Sequence, residues 1–145
     1  MTGRFKVNVD GALFVGISCV GFGVVVQDHE GQVVAAALKR HRGLFNATLV
    51  EAMAIRFAVD LARDLSLRVV DLGGDILEVM AARSSYTVLI IEDSLVEAAA
   101  SFVSCHFSHI GKKGNEVAHG LAKYAKFVGD VFFFRMEEIP SCVSD

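Results

Sequence analysis
The chain has no tryptophan, only three cysteines among 145 residues and no excess of positive charge. It also has no apolar run long enough to span a bilayer. Each absence narrows the field. Without tryptophan, fewer rings are available for a nucleobase to stack on. Cys19, Cys105 and Cys142 are odd in number and far apart, which fits neither a disulfide framework nor metal-ligand spacing. They are read as reduced thiols, with Cys105 in the core. A formal net charge of -3 has the wrong sign for a strong general nucleic-acid binder, so any such binding must rest on local basic clusters. The opening Met1-Thr2-Gly3-Arg4 is too short and polar for a leader, so a soluble, intracellular protein with no membrane partner is expected.

What is abundant is hydrophobic residues, at 53% of the chain. That is high for a soluble monomer and suggests a homo-oligomer or an adjoining domain of a larger protein. The length suits a single domain, 1–145, with a core over about 4–127 and a C-terminal tail, 128–145, expected to pack loosely. No repeat or low-complexity linker divides it.

Periodicity predicts the order of elements. Arg4 to Gly11, Gly21 to Gln27 and Gln32 to Lys39 read as strands, the last two joined by Asp28-His29-Glu30-Gly31, whose glycine suits the positive φ of a hairpin turn. From Asn46 to Leu65, Val50, Met53, Ala54, Phe57, Ala58 and Leu61 recur at helical spacing behind an asparagine cap. Arg68 to Leu72 reads as a buried strand, Ile76 to Arg83 and Thr87 to Ala100 as helices, and Phe102 to Ile110 as a fifth, half-buried strand. A loop, Gly111 to Gly114, leads into a last helix from Asn115 to about Phe127.

Three carboxylates stand where such elements can converge. Asp10 ends the first strand, Glu51 lies in the first turns of the long helix, and Asp75 follows the fourth strand. Strand ends and helix starts can meet at one sheet edge. Carboxylates brought together repel unless a cation sits between them, so a divalent-metal site is the first hypothesis. Taken singly, each has a plainer role: Asp10 as a turn residue, Glu51 as a complement to the helix dipole, Asp75 as a helix cap.

Five segments in order carry a family resemblance. They are Val7-Asn8-Val9-Asp10-Gly11-Ala12; Gly21-Phe22-Gly23-Val24 through Asp28, with Gly31; Val50-Glu51-Ala52-Met53-Ala54; Gly74-Asp75 with Leu77-Glu78-Val79; and His109 followed by Gly114-Asn115-Glu116-Val117-Ala118-His119-Gly120-Leu121-Ala122-Lys123. Over Lys6 to about Lys126 the chain resembles the ribonuclease H family, most closely the reverse-transcriptase-like ribonuclease H domains abundant in plant genomes. The resemblance implies an α/β, ribonuclease H-like fold: a mixed five-stranded sheet, its first three strands an antiparallel meander, flanked by helices.

It also implies hydrolysis of the RNA strand of an RNA–DNA hybrid by two divalent ions, normally Mg2+, on four acidic positions. Here those positions are Asp10, Glu51, Asp75 and His119. The last departs from the pattern, because imidazole is a poorer ligand than carboxylate for hard magnesium and brings no negative charge. The second ion site is thus expected to be weakened and Mn2+ favoured. Gly73 is a second departure, standing where relatives often carry glutamate.

The resemblance makes His109 a proton shuttle or an aid to product release. Lys112 and Lys113 are candidate phosphate contacts, as is the run Lys39 to Arg42, although short charge runs are usually solvated surface. Asn8, Gly11 and Asn115 are candidate nucleic-acid contacts, since small polar groups and backbone amides suffice to read 2′-hydroxyls. The alternative is a non-catalytic nucleic-acid-binding or protein-interaction module that keeps this fold.

Overall fold
A computed structural model describes residues 3–43, 46–74, 93, 100, 102–109, 115–128 and 131–135. The expected helix over 76–83, the loop 111–114 and all of the expected helix over 87–100 except Asp93 and Ala100, which are helical, lie outside the described residues. The first three strands form the expected meander: β1 (Arg4–Phe14), β2 (Cys19–Gln27) and β3 (Val33–Arg42). Antiparallel pairing sets Asp10 opposite Gly23 and Gly21 opposite Arg40. In the β2–β3 turn, Asp28 Oδ1 accepts from the N–H groups of Glu30 and Gln32, each at 2.9 Å, and Gly31 takes φ +80°. That is the positive φ anticipated for this glycine.

The long helix α1 (Ala47–Asp64) starts at Asn46, whose side chain accepts from the Leu49 N–H at 2.8 Å. This satisfies one of the helix's orphan donors. The chain then returns through β4 (Val69–Gly74) and β5 (Ser104–His109), both parallel to β1. Helix α2 (Glu116–Tyr124) follows, continued by a 3-10 turn over Ala125–Phe127.

The expectation of a loosely packed tail does not hold for Val131–Arg135. These residues form a sixth strand, β6, antiparallel to Ala35–Lys39 of β3, so the sheet order is β5-β4-β1-β2-β3-β6. A phenylalanine-rich run has the propensity for a strand, and the outer edge of β3 offers it a ladder of N–H and C=O groups. The other five strands stand in the expected mixed arrangement.

Alternation sorts β1 and β2 between two cores. Phe5, Val7 and Val9, with Val20, Phe22, Val24 and Val26, pack against Val50, Ala54 and Ala58 of α1. On the other face, Val25, Ala36 and Leu38 meet Ala118, Leu121 and Ala125. Asn8 and Asp10 lie on that second face, under α2. No helix among the described residues is long and apolar enough to cross a membrane.

Candidate active site
Asp10 is 7% exposed, and its Oδ2 lies 2.6 Å from Nδ1 of the largely exposed His119. A carboxylate only accepts, so the proton is on Nδ1 and the imidazole donates. Sequence alone could not place this contact, because 109 residues separate the partners. Its cause is local. A Cβ on Gly23 would run into the Ala118 carbonyl and stand 2.6 Å from the Ala122 nitrogen, and one on Gly21 would strike the Ala122 carbonyl. The two glycines let α2 sink onto bare backbone, and because Gly23 pairs with Asp10, the sunken turn delivers His119 to Asp10.

Glu51 arrives from the opposite face. Its Oε1 accepts from the N–H of Gly11 at 3.2 Å, and a Cβ on Gly11 would stand 3.3 Å from the same oxygen and 2.8 Å from Val50 Cγ1. Gly11 therefore lets the start of α1 approach the end of β1, and its amide holds the carboxylate beside the residue that follows Asp10. On the far side, Gly74 touches β1 closely enough that a Cβ would stand 2.9 Å from the Val9 carbonyl, and Gly74 pairs with His109 in register. Asp75 follows Gly74 directly in sequence. It lies outside the described residues, as do Lys112, Lys113 and the imidazole of His109. Among the described residues, no group of three His, Cys, Asp or Glu side chains stands close enough to hold a metal ion.

Asn8 and Asn115 are 6% and 7% exposed, which leaves little surface for a nucleic acid to touch. Asn115 Nδ2 donates to the Val9 carbonyl at 2.9 Å, tying the start of α2 to β1 beside Asp10, and Asn8 Nδ2 donates to Gln27 Oε1 at 3.4 Å. The Oδ1 atoms of both amides are buried without a donor. Buried acceptors normally find partners, so two orphans, one on β1 two residues before Asp10 and one on the residue hydrogen-bonded to Val9, leave this end of β1 short of donors or positive charge. A hydrated divalent cation would supply both, and oxygen donors suit magnesium or manganese. The residues present thus fit such an ion in chemistry.

Sequence reasoning missed one polar contact and the surroundings of Cys105, which was expected in the core and is partly buried against it. Ser108 Oγ donates to Asp71 Oδ1 at 2.8 Å, bridging β5 and β4. Burial and the Asp71 charge together push the Cys105 thiol up to about 11. Spacing on a single strand carries no signal for either.

Residues 8–125 match a sequence family described as reverse transcriptase-like. No curated protein sequence is matched. Among solved structures, the chain is similar to ribonuclease H1 from the halophilic archaeon Halobacterium salinarum, with a TM-score of 0.70 and 22% identity over 86% of this chain and 98% of that one. It is similar to LC11-RNase H1, solved in complex with an RNA/DNA hybrid, with a TM-score of 0.70 and 19% identity over 83% of this chain and 95% of that one. A third likeness is to the protease-reverse transcriptase of Prototype Foamy Virus, with a TM-score of 0.61 and 17% identity over 87% of this chain but 21% of the viral one.

Proposed function
The chain belongs to the reverse transcriptase-like family, whose match spans residues 8–125, and from that premise we propose that it hydrolyses the RNA strand of RNA–DNA hybrids with the help of divalent metal. The observation that carries this reading is the buried Asp10 carboxylate, with His119 at 2.6 Å and the Glu51 carboxylate tied to the adjacent Gly11 amide. Asp10, Glu51 and Asp75 would hold the metal. When bound, magnesium or manganese would lower the pKa of an attacking water and stabilise charge on the departing oxygen.

The chain's own groups do the rest. The Gly11 N–H fixes the direction of Glu51, and the Asn115 amide fixes the start of α2, so the helices that carry Glu51 and His119 are both braced against β1. His119 orients Asp10 through Nδ1. Engaged in this way, Nδ1 is not offered to a cation; binding a second ion through it would first break that hydrogen bond. His109 is assigned proton transfer to or from the phosphate. Lys112 and Lys113 are assigned phosphate contacts.

The same hydrogen bond favours a second reading. An imidazole donor satisfies Asp10 without any ion, so the site holds together without metal, as a non-catalytic binding module requires. One experiment separates the two. Purified protein is incubated with labelled hybrid, duplex DNA, duplex RNA and single-stranded RNA in magnesium and in manganese, beside Asp10→Asn and Glu51→Gln. Hydrolysis predicts cleavage of the hybrid's RNA strand, faster in manganese, with both variants folded and strongly impaired. Hybrid binding without cleavage in either metal would establish the binding module.

A further inference from the structure
The solvent face of α2 does not end at His119. His119, Lys123 and Lys126 recur at i, i+4 and i+7, all exposed, and so share one face over about 10 Å of helix at 1.5 Å per residue. Phe127 stands next to them, 71% exposed. The Lys126 ammonium lies 5.0 Å from the centre of its ring, and the Tyr124 ring is 5.8 Å away at 57°. Arg40 Nη1 donates to the Lys126 carbonyl at 3.4 Å and so ties this turn to β3.

Basic residues in a last turn are explained by the helix dipole alone. An exposed aromatic ring beside the Lys126 ammonium is not. An exposed ring with lysines beside it is complementary to a partner that has an apolar face and negative charge. Unpaired nucleic acid has both: bases stack on aromatic rings while phosphates meet lysines. Duplex offers phosphates, but its bases are already stacked.

We propose that Lys123, Lys126 and Phe127 form a binding track for an unpaired nucleic-acid strand leading away from Asp10 along α2. This rests on nucleic acid being the ligand of the adjoining site, but not on hydrolysis there. Phe127 takes a base, Lys123 and Lys126 take phosphates, and Arg40 holds the turn in place.

The test is fluorescence anisotropy with a short labelled single-stranded oligoribonucleotide and no metal, over a salt series. Phe127→Ala is expected to weaken binding by about 5-fold or more, the effect of losing one stacked base. Lys123→Gln with Lys126→Gln is expected to flatten the salt dependence by about 1.4 in log–log slope, at roughly 0.7 per phosphate contact. Both changes are at exposed positions, and unchanged melting temperatures verify folding. A second arm compares blunt hybrid with hybrid carrying an unpaired extension: the extension should tighten wild-type binding but not that of Phe127→Ala. Absence of single-strand binding by the wild type, or identical affinity and salt slope in the variants, overturns the track. Blunt-hybrid cleavage reads the Asp10 site separately, so loss of single-strand binding in the variants without any wild-type cleavage would keep the track and reject hydrolysis.

Discussion
His119, at a position where the resemblance to ribonuclease H implies a carboxylate, would act on Asp10 differently from an acid. An imidazole N–H donates to the carboxylate; a second carboxylate would repel it until a cation came between them. His119→Asp is therefore expected to lower stability in chelator, tighten magnesium binding and raise hybrid cleavage about 10-fold, equivalent to ~1.4 kcal/mol in the transition state. Calorimetry and single-turnover rates check this, and an unchanged rate would mean that the imidazole already serves. Cys105 gives a pH-dependent prediction. Its thiol is lifted from 9.0 to about 11 by burial and by the Asp71 charge, so the neutral form is the one the fold accommodates. Its contribution to stability is complete below pH 9 and is lost as pH rises through 11. Peptide mapping after iodoacetamide treatment at about pH 8 should find Cys105 alkylated much more slowly than an unstructured thiol.

The glycines of β2 set the depth of α2, and depth decides the site. Gly23→Ala would force the helix off the sheet at Ala118 and Ala122. The expected cost is about 1–3 kcal/mol, as for other overpacked sites, together with loss of the Asp10–His119 contact. Thermal melts read the first effect, and the His119 ring resonances in an NMR spectrum read the second. Helix α1 shows a different economy at its end. The Ser66 N–H donates to the Arg63 carbonyl at 2.9 Å and the Leu67 N–H to the Ala62 carbonyl at 3.1 Å, the pairing of a Schellman stop. The left-handed position is taken by Ser66, φ +58°, rather than by glycine. Ser66→Gly is expected to relieve about 1 kcal/mol of backbone strain and raise Tm by roughly 2 °C or more, measured by calorimetry.

At the scale of the whole molecule, β6 closes an edge of the sheet. It covers Ala35–Lys39, which would otherwise be a five-residue exposed edge in a chain already rich in apolar residues. Ending the chain after Val128 should uncover that edge, lower Tm by about 5 °C or more and cause concentration-dependent scattering. A truncated chain as stable and as soluble as the full one would show that the strand adds nothing. Apolar surface also remains at the β1–β2 turn, where Leu13, Val15 and Ile17 are 39%, 73% and 54% exposed. This is a local source of the hydrophobic excess seen in the composition.

The sequence by itself determined the order and kind of the described strands and helices from β1 to α2, because periodicity, the Asn46 cap and the Gly31 turn are properties of neighbours along the chain. It also brought Asp10, Glu51 and Asp75 forward as one group, through their places at strand ends and a helix start. One element escaped it: the strand in the tail needed the free edge of β3 before it had anything to pair with. Only the tertiary structure decided that His119 is a hydrogen-bond donor to Asp10 and that Asn8 and Asn115 are buried. Those facts depend on how far α2 descends onto Gly21 and Gly23, a distance between surfaces far apart in the chain that close packing sets and no local pattern encodes.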